Sequence, residues 1–267
     1  MKKYELTTET KEYFGKTLHR IRALISFKFA NAGDLGGWIE KEDNLAQEGN
    51  AWVSDNARVS GNARVSDSAQ VLDNALVCGN AWVSGDAQVS GDAWVFGNAQ
   101  VSGYALVCGN ARVCDDAQVS GHARVFDNAW VSGYALVCGN ARVYDNAKAF
   151  GNAKVFNNAW VYNNAQVFDN AQVYGNAEVL GDARVSDDAQ VFDSARVFDK
   201  AQVSGNAWVS GDAQVSGNAR VLGDAQVSGN AWVSGDAQVS GDAWVFGNAQ
   251  VLGNTWVSGD AQRAFKP

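Results

Sequence analysis

The chain has 267 residues, 46% of them hydrophobic and 19% charged, with 28 glycines and a single proline, which is material for a sizeable core in one or two domains. A formal net charge of −8 argues against general nucleic-acid or anionic-membrane binding, since both need clustered Lys and Arg. There is no apolar run of about 18 residues, and Met1-Lys2-Lys3-Tyr4-Glu5 leads into polar residues, so a transmembrane helix and an apolar signal segment are excluded and a cytoplasmic location is expected.

In chain order, residues 1–37 lack a repeat and read as an N-terminal β cap. Strand-like stretches fall at Tyr4 to Thr8 and Leu18 to Phe27, the second alternating Ile21, Ala23, Ile25 and Phe27 with Arg20, Arg22, Leu24 and Ser26. Residues 38–262 form the repeat domain, whose six-residue phase is already kept by Ile39 and Leu45, at places that Ala later holds. From Ala51 the hexad never slips: Ala recurs every six residues to Ala261, broken only by Thr255, and Val follows two residues later, broken only by Ala149. Residues 263–267 read as a short tail, with Arg263, Lys266 and Pro267 placed to block an open last edge.

Side chains two apart share one side of a strand, so Ala and Val line an interior while the residues between and after them face outward. A helix would scatter a six-residue spacing around its surface. An antiparallel meander of such short strands would leave an apolar sheet uncovered, whereas a parallel β-helix with three hexads per coil closes the Ala and Val faces on themselves. Twelve coils of 18 residues, roughly 55 to 60 Å of stacked strands, are expected at the usual strand spacing.

The unit Val-x-x-Asn-Ala-x resembles the hexapeptide motif of left-handed parallel β-helices over residues 51–262, and that resemblance implies the handedness. Lys3-Tyr4-Glu5-Leu6-Thr7, with Gly33-Asp34-Leu35-Gly36-Gly37-Trp38 and Gly49-Asn50-Ala51, is similar to the YdcK-like hexapeptide-repeat proteins of enterobacteria and bacteriophages. The likeness implies a protein of the bacterial cytoplasm, bacterial or phage-encoded, and brings no settled activity with it.

Stacking every third hexad places residues 18 apart above one another, so the outward faces can be read directly. After Val, one face carries Phe126, Tyr144, Tyr162, Leu180 and Phe198, a second Cys138, Phe156, Tyr174 and Phe192, and a third Phe150 and Phe168. Arg124, Arg142, Trp160 and Arg196 lie beside the first set. Such a girdle either stabilises neighbouring coils or forms a contact surface, and Trp and Arg are enriched where contacts carry energy. The partner-binding candidates are therefore Phe126, Tyr144, Tyr162, Phe198, Arg124, Arg142, Trp160, Phe156, Tyr174 and Phe192. Nine of the ten Trp occupy the slot between Ala and Val, scattered over the faces, and read as local packing over Gln and Ser rather than as a stacking platform. Every Asp of the array is at a corner, where the turn has use for it.

Four cysteines, Cys78, Cys108, Cys114 and Cys138, are spaced beyond disulfide reach, which suggests a reducing compartment. Nothing in the sequence has metal-ligand spacing, and no cofactor is called for. An acyltransferase, the enzyme reading of left-handed hexapeptide helices, would have His122 as its base but no loop insertion to build a pocket. Ice binding would want ladders of outward Thr, and Thr255 is the only Thr after residue 50. An acidic rod that inhibits a host DNA-binding or defence protein is a third alternative, although its charge is some fourfold sparser than that of a duplex. The reading the sequence favours is a non-catalytic solenoid that binds a protein partner or its own copies, without direct nucleic-acid or membrane contact.

Overall fold

The computed structural model describes residues 2–260 and the backbone of the strand Gln262–Phe265. The side chains of Arg263 and Lys266, and Pro267, for which an edge-blocking role was expected, lie outside the described residues. The chain divides into two compact units, 1–133 and 134–267. Both are made of the same coil, three two-residue strands in three parallel sheets, and together they amount to an all-β parallel solenoid of about 12 coils. Among the described residues no helix is long and apolar enough to cross a membrane.

The period dictates this coil. In the first unit Trp52 N–H donates to Ala69 O at 3.0 Å and Ser54 N–H to Val71 O at 2.9 Å, so pairing runs between residues 18 apart. Val53 pairs with Val71 and Gln70 with Gln88, in register. From Ala51 on, the repeated Val and Ala are buried among the described residues, and each Val is worth roughly 1.5–3 kcal/mol of burial. The outward slots before and after Val are mostly half-buried or exposed, with Trp52, Leu76, Ser60, Cys114 and Ser216 as buried exceptions.

Corners are set by one residue. The second residue after Val has φ near +60 to +75° in coil after coil, and Gly, Asp or Asn fills it. These residue types tolerate the left-handed region. An Asp there also bonds forward: Asp67 Oδ2 accepts the Gly85 N–H at 2.9 Å and Asp193 Oδ2 the Gly211 N–H at 3.1 Å. The next residue makes a directional ladder. Asn62 donates to Asn80, Asn80 to Asn98 and Asn98 to Asp116 in the first unit, and Asn152 to Asn170 and Asn170 to Asp188 in the second. A carboxylate only accepts, so Asp116 and Asp188 terminate these two ladders.

The first unit also contains the cap. Strands β1 (Tyr4–Tyr13) and β2 (Lys16–Ala23) are antiparallel, and β3 (Leu35–Ile39) joins β2 to the coils by pairing parallel with Arg58–Val59. The second strand thus ends at Ala23, short of the expected Phe27. Ile39 pairs with Val59 and Leu45 bridges to Val65, so these side chains occupy Val slots and not the Ala slots that counting by six assigned. Their bulk fits the larger site, and Gly37 lies over Ala57, where an added Cβ would come within 2.7 Å of the Ala57 carbonyl. The two-residue offset is absorbed before Ala51, where Gln47 Oε1 accepts the Lys3 N–H at 2.8 Å and the Tyr4 N–H at 3.3 Å.

The cap supplies donors that a preceding coil would otherwise provide. Trp38 N–H reaches Ala57 O at 2.9 Å and Ala46 N–H reaches Val65 O at 2.9 Å. Buried Asn44 donates to Gly61 O at 3.1 Å and Ala63 O at 2.8 Å, and buried Lys3 donates to Ala51 O at 2.9 Å. Burial lowers the Lys3 ammonium to about 8.

Candidate functional site

The second unit gathers most of the aromatic candidates. Strands Arg142–Val143, Trp160–Val161, Glu178–Val179 and Arg196–Val197 stack in register on one face. In the slot after Val, Tyr144 and Tyr162 are parallel, with ring centroids 5.0 Å apart and an interplanar angle of 2°. Trp160 stands nearly perpendicular to both, at 6.4 and 6.5 Å, and the Arg142 guanidinium lies 4.8 Å from its ring centroid. Tyr162 donates its hydroxyl to Glu178 at 3.2 Å, Glu178 pairs with Arg196 at 3.3 Å, and Arg196 lies over Phe198 at 5.8 Å. Seven side chains across four coils are therefore in contact.

A second ladder occupies the next face of this unit. Phe156 stacks on Tyr174 at 4.8 Å and Tyr174 on Phe192 at 5.0 Å, and Tyr174 donates to Gln190 at 3.1 Å. On the third face Phe150 stacks on Phe168 at 5.0 Å, and Arg184 lies 5.3 Å over Phe168. The first unit contributes exposed Arg124 and half-buried Phe126. The ladder rings of the second unit are half-buried, because a ring stacked at strand spacing hides its faces and leaves its edge to solvent.

Charge and burial keep these groups neutral. Burial, aided by neighbouring Tyr162, Asp145 and Glu178, pushes the Tyr144 phenol up to about 12. Burial and then Glu178 raise Tyr162, and burial and then Asp193 raise Tyr174. The four thiols are free, and burial raises each of them; Cys114 also accepts the Trp130 indole N–H at 3.2 Å.

His122 is an exposed corner residue in the first unit, its ring stacked on Tyr104 at 4.9 Å and 5°. Among the described residues no three or more His, Cys, Asp or Glu are arranged to hold a metal ion. Reading outward slots by residue size missed Glu178, which links the Tyr and Arg halves of the cluster. The signal was present, since Glu178 is the one acidic residue of the array that is not at a corner.

A family model described as YdcK Beta solenoid repeat matches residues 51–67, 57–73, 87–103, 117–133, 171–187, 201–215, 213–225, 225–241 and 237–253. No curated protein gives a significant match.

Proposed function

The chain is a YdcK-type β-solenoid repeat protein, and we propose that it acts as a scaffold, without a catalytic step, that binds a protein partner or its own copies in a bacterial or phage setting. The observation that carries this reading is the contact cluster Arg142, Trp160, Tyr144, Tyr162, Glu178, Arg196 and Phe198. Stacking alone would account for the rings. It gives no reason for a Trp clasped by Arg and an ion pair held against a Tyr on the same outward face, which is the composition of an interaction hot spot. The rings are held in place by their neighbours, so little side-chain freedom is lost when a partner covers them. Phe156, Tyr174 and Phe192 extend the apolar girdle on the adjoining face, and Phe126 with Arg124 offers the same residue types in the first unit.

The acidic-rod alternative draws less support, because corner carboxylates such as Asp67 and Asp193 are engaged with backbone N–H groups of the following coil. The test replaces Tyr144 and Tyr162 together by Ser and measures native mass by light scattering, with partner identity read from crosslinked complexes in the bacterial host. The expected result is a shift to monomer or loss of the crosslinked partner, with a circular dichroism spectrum like that of the parent. Unchanged mass together with an unchanged crosslinked partner removes this cluster as the contact surface.

A further inference from the structure

Beyond Phe192, the face that carries the Phe156–Tyr174–Phe192 ladder continues in the second unit into an opening that neither the ladders nor the proposed contact cluster fills. Its strands Trp208–Val209, Gln226–Val227 and Trp244–Gly247 pair in register, so Trp208, Gln226 and Trp244 occupy successive coils in one outward row. Both indoles are nearly half exposed, at 44% and 45%. Two indoles in this slot close on the hydroxyl 16 residues before them: Trp82 donates to Ser66 and Trp232 to Ser216, each at 3.2 Å. Trp244 has the equivalent partner in Ser228, yet among the described residues no such bond joins them. A groove of about 270 Å³ opens instead, lined by Gln226, Ser228, Trp244 and Phe246. Trp208 is braced edge-to-face against Phe192, with centroids 6.1 Å apart at 79°.

The chemistry of the row selects a ligand class. On this face the outward slots of the three coils hold Trp208 and Ser210, Gln226 and Ser228, Trp244 and Phe246, with no charged side chain among them. A charged ligand therefore finds no counter-charge on this row. A peptide strand cannot add to the sheet here, because both backbone edges of Gln226–Val227 are paired with neighbouring coils. What remains complementary is a neutral molecule that alternates apolar C–H faces with hydroxyls. The indole faces take the former, and the Gln226 amide, both donor and acceptor, takes the latter with the Ser228 hydroxyl. Two strand spacings separate the indoles by roughly 9.6 Å. That is close to the length of two sugars in an extended β-1,4-linked chain, in which alternate rings present the same face.

We propose that Trp208, Gln226 and Trp244 form a binding site for a neutral β-1,4-linked oligosaccharide, laid along the stack of coils with alternate rings on the two indoles and the intervening hydroxyls on Gln226. The test is calorimetric and fluorescence titration of the full chain with hexasaccharides of β-1,4-linked glucose and of β-1,4-linked N-acetylglucosamine up to millimolar concentration. Saturable binding of at least one is expected, weakened about tenfold or more in Trp208→Ala and in Trp244→Ala and unchanged in Trp82→Ala. Trp244→Phe, which keeps a ring, retains most of the affinity and guards against loss of fold, checked by melting midpoint. Absence of saturable binding to both sugars overturns the assignment. So does binding that persists in Trp208→Ala and Trp244→Ala, or that Trp82→Ala weakens equally. A polypeptide found seated on Trp244 in a chain that responds to neither sugar also overturns it.

Discussion

A corner residue with positive φ satisfies two conditions at once, and the sequence satisfies them in two ways. Gly79 has φ +73°, and a Cβ there would lie 2.9 Å from the Gly97 N and O atoms. Gly79→Ala should therefore cost about 1–3 kcal/mol in denaturant unfolding. Gly79→Asp should cost less, because its carboxylate gains the N–H of Gly97 as Asp73 gains that of Gly91 at 2.8 Å. Equal losses for the two variants would show that the forward bond contributes nothing. Tyr144 is a second residue-scale case. Its phenol is pushed up to about 12, above its value in the unfolded chain, so its contribution to stability is complete below the ordinary tyrosine range and is lost as pH climbs towards about 12. Melting midpoints of the parent should fall across that interval more steeply than those of Tyr144→Phe.

The cap and the coil are the elements, and they differ in how far the sequence discloses them. Asn44 fills two backbone acceptors of the first coil, so Asn44→Leu should destabilise the protein by about 1–3 kcal/mol and speed hydrogen exchange first around Gly61 to Val65. Glu40 shows how the cap responds to acid. Burial works against its charge, but Lys16 at 2.7 Å and the Gly61 N–H outweigh burial and hold its carboxyl below the usual range. Its stabilisation is present above the unfolded carboxylate value and disappears as pH falls through the lower folded one. Glu40→Gln should therefore flatten the acid limb of stability against pH. None of this was legible beforehand, because cap contacts join residues tens of positions apart with no repeat to announce them, as Lys3 with Ala51 and Tyr4 with Leu45 do. The coil was legible almost entirely, since every Val repeats one environment. The same regularity misplaced Ile39 and Leu45, where counting by six passed over two extra residues. Periodicity likewise hid Glu178 and the unclosed Trp244, whose slots look like any others until neighbouring coils are stacked.

At the scale of the whole molecule, interior and exterior obey different periods. The Ala and Val core repeats every six residues, whereas a given outward neighbour returns only after 18, as the register of Trp160, Glu178 and Arg196 shows. Stability that sums over neighbouring coils should then tolerate removal of one hexad. Deleting residues 166–171 should leave a folded, cooperative protein within about 1–2 kcal/mol of the parent, because Ala165 then precedes Gln172 and the core pattern continues. It should nevertheless abolish association, because Glu178 and Arg196 turn away from Trp160 and Tyr162 by one face. Unfolding of this variant would show that the core distinguishes its three faces; retained association would detach binding from the cluster. The carboxamide ladders, finally, bear on how the protein ages. Deamidation turns Asn into Asp, preserving the acceptor and erasing the donor. At Asn158 it would leave the bond received from Asn140 intact and cut the bond given to Asn176. Chemical damage to this protein thus has a direction: each lesion removes the corner rung from a coil to its successor and keeps the rung from its predecessor, while the backbone pairing between the coils stays in place.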